Sequence, residues 1–316
     1  MKIGIMGAGA MGCMFGAKYV KSGQDVCLID GWKDHVEKIQ QDGLNVERKG
    51  EHYNVKIKAV TEVQDAQQYF GGPADLIMIF CKGMQTDEMI RRSLPLIDEE
   101  TCVLTLQNGI GNPEIIGKYV DHNRVFFGAA SAGSVLLGPG SIRDTTSDRP
   151  VLIHIMPLSR VMNEKCKEVA EVITKAGMGT EAELGTEQFV WEKLSLNCCV
   201  NATSVMTHMC LKDMTNDPNG KILFDHIVSE VAEVALKKGV DITYEHLRDF
   251  VQLAGSKSEH YPSMLQDARN KRPLELDTIT GAIVREGHRL GVETPVNETI
   301  LLITSMIAAN YDKLWY

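Results

Sequence analysis

Two hydrophobic patterns follow one another along the chain. In the first part, short apolar runs alternate with helical stretches. Residues 2–6 are a mostly apolar run ending at a glycine cluster, as expected for a strand buried in a parallel sheet. A helix is expected over 10–22, with Gly23 placed to close it. Residues 25–29 give a second strand with Asp30 at its carboxyl end, completing a strand–helix–strand unit. Further strands at 76–81, 102–106 and 125–128 alternate with helical segments near 86–94 and 113–119, which predicts a doubly wound α/β sheet. Two stretches break the alternation: 44–49 against 52–57, turning at Lys49-Gly50, and 131–156 with its Gly138-Pro139-Gly140 turn. Both read as antiparallel additions. After about Thr186 the strand signal fades, and helical periodicity runs through 186–200, 221–238, 244–253, 276–290 and 296–309. We therefore place a sheet domain at 1–182 and an all-helical domain at 183–316. Two domains suggest a cleft between them.

Composition narrows the function classes. With 44% hydrophobic and 24% charged residues in 316, the chain is an ordinary folded protein long enough for two cores. A formal net charge of -9 argues against a nucleic-acid partner, which needs clustered Lys and Arg. Cys13, Cys27, Cys81, Cys102, Cys166, Cys198, Cys199 and Cys210 form no C-x-x-C pair. Neither a metal site nor a disulfide framework is expected, and most of these thiols sit in apolar runs as small hydrophobes. The apolar N-terminus resembles a signal peptide, but Gly4, Gly7, Gly9, Gly12 and Gly16 fit a glycine fingerprint better. No other run is long and apolar enough for a membrane span, so a cytoplasmic protein without a membrane partner is expected.

The strongest local signal is Gly7-Ala8-Gly9-Ala10-Met11-Gly12, a G-x-G-x-x-G that follows a strand and opens a helix. Gly7 permits the tight turn, Gly9 lets the backbone approach a pyrophosphate, and Gly12 allows close helix–strand packing. The anion then lies at the positive helix N-terminus. This context makes the first domain a Rossmann dinucleotide-binding domain. Asp30, 18 residues beyond Gly12, stands where an acid accepts from the adenosine-ribose hydroxyls and repels a 2′-phosphate. Taken alone it argues for NAD. Lys33 and His35 nearby offer positive charge to a 2′-phosphate if the loop bends toward it. Strand ends also carry Lys82-Gly83-Met84-Gln85-Thr86 and Gln107-Asn108-Gly109, so Lys82, Gln85 and Asn108 are candidates to face cofactor or substrate. The competing reading of each is a surface lysine or a turn asparagine.

In the helical part, Lys193, Asn197 and Asn201 recur every fourth residue among apolar neighbours. Successive members turn by only about 40° and rise about 6 Å, giving one polar stripe. Such a stripe must face water, a partner or a ligand, and asparagines are poor helix formers.

These elements together resemble the ketopantoate (2-dehydropantoate) reductase family. The resemblance runs from the glycine fingerprint through Lys82-x-x-Gln85-Thr86, Gln107-Asn108-Gly109 and the Lys193/Asn197/Asn201 helix to Ser263-Met264-Leu265-Gln266-Asp267 and Leu274-Glu275-Leu276-Asp277. It implies a Rossmann domain followed by a helical domain, and reduction of 2-dehydropantoate to (R)-pantoate in the pantothenate route to coenzyme A, with NADPH as the usual donor. By the same resemblance Lys193 is the catalytic lysine and Glu275 its acidic partner. Asn197, Asn201 and Ser263, with Lys193 and Asn108, are substrate contacts, and Lys82 and Asn108 lie near cofactor and substrate. Asp30 departs from the family's usual basic residue, which leaves NAD open; the kept family pattern, with Lys33 and His35, tips the balance to NADPH.

The chemistry fits these residues. Hydride attack on a ketone develops negative charge on its oxygen, and a positioned ammonium both stabilises that charge and delivers the proton. The expected partner is a small 2-oxo acid; a homodimer is compatible with the sequence. Two alternatives remain at this level: a reductase of another 2-oxo acid or carbonyl on the same scaffold, and a non-enzymatic NAD(P)-binding sensor.

Overall fold

The computed structural model describes residues 1–256 and 258–314, and the chain divides into two compact units. The first comprises Met1–Gln107 and Asn112–Thr186, the second Asn108–Gly111 and Glu187–Tyr316.

The first unit holds β1 (Lys2–Met6), β2 (Asp25–Ile29), β3 (Leu44–Arg48), β4 (Glu51–Val55), β5 (Lys58–Val60), β6 (Leu76–Ile79), β7 (Cys102–Thr105), β8 (Val125–Ala130), β9 (Ser134–Gly138), β10 (Ser141–Asp144), β11 (Ile153–Pro157) and β12 (Thr180–Ala182). Its helices are α1 (Ala10–Lys21), α2 (Lys33–Asp42), α3 (Val63–Phe70), α4 (Thr86–Ser93), α5 (Asn112–Ile116) and α6 (Glu164–Lys175). One sheet runs β12-β11-β8-β7-β6-β1-β2-β5 and is parallel except for the β8–β11 pair. β1 lies between β2 and β6, with Gly4 opposite both Cys27 and Ile77. The strand order reverses there, and ligands of open α/β sheets bind outside the carboxyl ends at such a reversal.

The two stretches that break the alternation form a second sheet, β4-β3-β10-β9. Each is an antiparallel hairpin, and parallel pairing of β3 with β10 (Val46 opposite Ile142) joins them. Side chains of this sheet, among them Val46, Val55 and Ile142, share one core with Met14 and Phe15 of α1. Sandwiched in this way, α1 is buried from Gly12 to Tyr19, and its Lys18 ammonium is neutralised by Asp144 at 3.0 Å. A charge so placed is tolerated only because it is paired.

The second unit is helical: α7 (Thr186–Thr207), α8 (Leu211–Asn216), α9 (Pro218–Lys237), α10 (Tyr244–Gly255), α11 (Ser263–Arg269), α12 (Thr280–Leu290) and α13 (Pro295–Ala308). α7 is its centre: Trp191, Leu194, Cys198, Cys199 and Ala202 are all essentially inaccessible. Two departures from the periodicity matter for the site. α7 continues to Thr207, its last turns accommodating hydroxyls that bond back to the helix, Thr203 to the Cys199 carbonyl and Ser204 to the Asn201 carbonyl. The helix expected from 276 begins only at Thr280, because 276–279 turn so that the Gly281 N–H reaches the Leu276 carbonyl at 2.8 Å. Helices α8 and α11, of six and seven residues, are too short to show two turns of periodicity.

Candidate active site

The glycine turn is built as its spacing requires. Gly7 adopts φ +100, and a Cβ there would lie 2.9 Å from main-chain atoms of Phe80 and Cys81. At Gly12 a Cβ would fall 2.0 Å from the Gly7 carbonyl oxygen. Gly9 differs: a Cβ there meets nothing within 4 Å. The space beside Gly9 is open, and among the described residues no side chain caps the first N–H groups of α1. Close glycine packing on one side and uncapped N–H groups on the other fit a dinucleotide pyrophosphate. Ala8 is buried in the turn, while Ala10 and Met11 are half-buried at the start of α1.

Asp30 sits beside this turn and is held by it. Its Oδ2 accepts the Ala8 N–H at 2.7 Å and its Oδ1 the Trp32 N–H at 2.9 Å. Lys33 is exposed. His35, expected to lend positive charge here, is instead 1% exposed and stacked on Trp32, ring centroids 5.1 Å apart. Its Nδ1 accepts the Gly140 N–H at 3.0 Å, which leaves the ring proton on Nε2, facing Cys13 Sγ at 3.4 Å. The Cys13 thiol in turn donates to the Ala8 carbonyl at 3.0 Å. Burial holds the His35 pKa below its usual value, against the pull of Asp30.

Beyond β6, Lys82 is half-buried and precedes a short turn, Gly83–Gln85; Gln85 is exposed. The Gln107 amide pins this turn, donating to the Cys81 carbonyl at 2.8 Å and to Thr86 Oγ1 at 3.0 Å, while Thr86 donates to Asn112 Oδ1 at 2.9 Å. Gln107 and Asn112 flank the four residues that join the second unit.

In that unit the stripe on α7 divides. Lys193 and Asn197 are half-buried, but Asn201 is 2% exposed, and its Oδ1 accepts the Met264 N–H in the first turn of α11. Asn201 thus docks the helix that presents Ser263, which is itself exposed. Burial pulls the Lys193 ammonium down to about pKa 8, partly offset by the Glu275 carboxylate, itself buried. The pair is therefore an ammonium poised near neutrality beside its counter-charge. Asn197 Nδ2 and Thr278 Oγ1 are buried, with no hydrogen-bond partner among the described residues. Such atoms cost about 1–3 kcal/mol each until something completes them. Asn108 belongs to the same unit. Gly109 (φ +87) has the Thr278 carbonyl oxygen 1.8 Å from where a Cβ would stand, and the Ile110 N–H donates to that oxygen at 2.9 Å. Only glycine permits this approach. The neighbouring Glu192 is engaged elsewhere, 2.5 Å from His246 Nε2 on α10.

Sequence spacing did not single out Gln107, Asn112 or Thr278, nor the link between His35 and Cys13. The Gln107-Asn108-Gly109 run was the only local signal among them.

No helix among the described residues is long and apolar enough to cross a membrane. Residues 3–155 match the model of the ketopantoate reductase PanE/ApbA family, and residues 185–308 match its C-terminal model. The chain is 34% identical over 303 residues to the 2-dehydropantoate 2-reductase of Lactococcus lactis, covering 93% of this chain and 94% of that one. It is 31% identical to the enzyme of that name from Pyrococcus horikoshii, covering 94% of each. Among solved structures, D-mandelate dehydrogenase with NADH and anilino(oxo)acetate superposes with TM-score 0.91 at 28% identity, over 99% of this chain and 100% of that one. A PanE/ApbA ketopantoate reductase from Ralstonia eutropha superposes with TM-score 0.88 at 25% identity, over 99% and 100%. With both family models matched along nearly the whole chain, and with the glycine turn and the lysine–glutamate pair each formed, the chain belongs to the ketopantoate reductase family of nicotinamide-dependent oxidoreductases.

Proposed function

We propose that this chain reduces 2-dehydropantoate to (R)-pantoate, with a reduced nicotinamide dinucleotide as hydride donor and Lys193 as proton donor. The observation that carries this reading is the Lys193–Glu275 pair, an ammonium tuned to about 8 by burial, on the same helix as the unpartnered Asn197 amide. When bound, the nicotinamide supplies the hydride. As charge grows on the ketone oxygen, the Lys193 ammonium stabilises it and gives it a proton. Glu275 favours the charged form of Lys193, and Asn197, Ser263 and Asn108 offer amide and hydroxyl donors to the substrate's carboxylate and hydroxyl. Asn201 acts through α11, which it docks. On the cofactor side the turn Gly7–Gly12, Asp30, Lys82 and Gln85 contribute from a dinucleotide-binding domain of residues 1–182, and a catalytic domain of 183–316, which the strip Asn108–Gly111 joins, supplies Lys193 and Glu275. The names of the relatives support this activity.

A second reading, reduction of a different 2-oxo acid, is favoured by the likeness to D-mandelate dehydrogenase, whose bound anilino(oxo)acetate is a 2-oxo acid amide derivative. The test is nicotinamide oxidation with 2-dehydropantoate and with an aryl 2-oxo acid side by side. Efficient turnover of the first yielding the R product is expected. Turnover of the aryl acid alone would replace the first reading by the second. The same proposal places the protein in the cytoplasm as a homodimer, for which exposed Leu302, Ile303 and Met306 on α13 offer an apolar face; sedimentation reads its mass.

A further inference from the structure

We infer that the adenosine end of the dinucleotide site is built for an unphosphorylated ribose, so that NADH serves this chain at least as well as NADPH. This rests on the reading of the chain as a nicotinamide-dependent reductase, but not on which 2-oxo acid it reduces.

Position and fixation of Asp30 come first. It ends β2, and β2 is the neighbour of β1, whose end carries the glycine turn. Two backbone N–H groups, Ala8 at 2.7 Å and Trp32 at 2.9 Å, hold both carboxylate oxygens beside that turn. A carboxylate has about four acceptor positions, so two remain for the vicinal hydroxyls of a ribose. The same fixed negative charge opposes a 2′-phosphate, which carries a charge of about −1.5 to −2.

A site for the 2′-phosphate would then need cations, and His35 and Arg92 are otherwise placed. His35 is closed in from both sides. Its Nδ1 lone pair takes the Gly140 N–H, its Nε2–H faces Cys13 Sγ, and the Cys13 thiol bonds the Ala8 carbonyl. Protonating the ring would set an N–H against the Gly140 N–H, so the ring stays neutral and acts as a spacer. This chain, from Gly140 through His35 and Cys13 to Ala8, holds the residue whose other side bonds Asp30. His35 and Cys13 are thus positioning residues for Asp30. Arg92, near the end of β5, donates to the Thr61 carbonyl at 3.3 Å, next to Glu62. Lys33 is exposed, with Asp34 beside it at the start of α2. Asp30 and Asp34 against Lys33 leave the segment with a net negative charge.

The experiment is a titration of the purified protein with NADH and with NADPH in the absence of any 2-oxo acid, followed by energy transfer from tryptophan to the reduced nicotinamide. We expect the wild type to bind NADH as tightly as NADPH or more tightly. Asp30→Asn keeps the shape and removes the charge, and should move the NADPH-to-NADH affinity ratio at least tenfold toward NADPH; Asp30→Ser repeats the test should the first variant not fold. Lys33→Ala should change the ratio less than threefold. His35→Gln should weaken both dinucleotides in parallel, and a matching loss for Asp30→Asn,His35→Gln would mark its action as running through Asp30. Wild-type preference for NADPH by tenfold or more overturns the inference. An unchanged ratio in both Asp30 variants, or a selective loss of NADPH binding in Lys33→Ala, overturns it as well. Tight NADH binding by a chain that does not turn over 2-dehydropantoate would instead count against the proposed substrate and leave this inference standing.

Discussion

At Gly7–Gly12 the functional surface is main chain, and at Lys193–Asn201 it is side chain. In the first region chemistry depends on what is missing: a Cβ at Gly12 would strike the Gly7 carbonyl oxygen, and one at Gly9 would occupy open space. In the second it depends on what burial does to groups that are present, lowering Lys193 to about 8 and leaving the Asn197 amide unpartnered. The contrast teaches that a backbone site loses its function to an added side chain even where, as at Gly9, the fold has room for it, but needs no tuning. A side-chain site tolerates substitution structurally, yet its chemistry depends on neighbours distant in sequence, such as Glu275.

The largest expected effect breaks the first region. Gly12→Ala forces main-chain atoms apart and should destabilise the protein by about 3 kcal/mol, read by denaturant unfolding. Gly9→Val should instead change stability by no more than about 1 kcal/mol while lowering dinucleotide affinity at least 100-fold. Equal destabilisation by the two would erase the distinction drawn between these glycines.

Next in size is the second region. Lys193→Ala should lower kcat by roughly 10²- to 10⁴-fold with dinucleotide affinity kept. The ammonium is the competent form, so the wild-type reduction rate should fall as pH rises through about 8, and that limb should vanish in the variant. A variant with near-wild-type kcat and the same alkaline limb would remove Lys193 from the mechanism and turn attention to Lys82.

A smaller change sharpens the comparison within the stripe. Asn201→Ala removes the acceptor of the Met264 N–H and should cost about 1–2 kcal/mol, raising KM for the 2-oxo acid more than it lowers kcat. A pure kcat effect would make Asn201 a direct participant. The smallest effect belongs to His35. Its folded pKa lies below the ordinary 6.5, so its contribution to stability is complete above about pH 6.5 and is lost as pH falls through the folded value. Melting curves of wild type and His35→Gln should therefore differ in slope only on the acid side.

Much of this was legible because it is local. Strands β1 and β2, the glycine turn and the end of α1 follow from runs and spacings within about 30 residues. The family likeness named Lys193 and Glu275, which are 82 positions apart in the chain, but spacing alone could not pair them. The Lys193, Asn197 and Asn201 repeat was visible as a stripe; that its last member turns to α11 was not, because a helical wheel does not say which neighbour covers each position. His35 misled for the same reason. Its nearness in sequence to Asp30 suggested a cation, and only Gly140, from a hairpin a hundred residues on, makes it neutral.

The segment Asn108–Gly111 has a consequence for how the protein is made and dissected. The helical unit is not one stretch of chain: its Thr278 carbonyl is met by Ile110, a residue synthesised long before α7. A recombinant fragment beginning at Glu187 would lack that strip and leave a backbone acceptor bare, so it should express as a less cooperative body than its length suggests. On the ribosome, by the same logic, the early strip waits for its companions, and completion of the helical unit is held back until Thr278 has emerged.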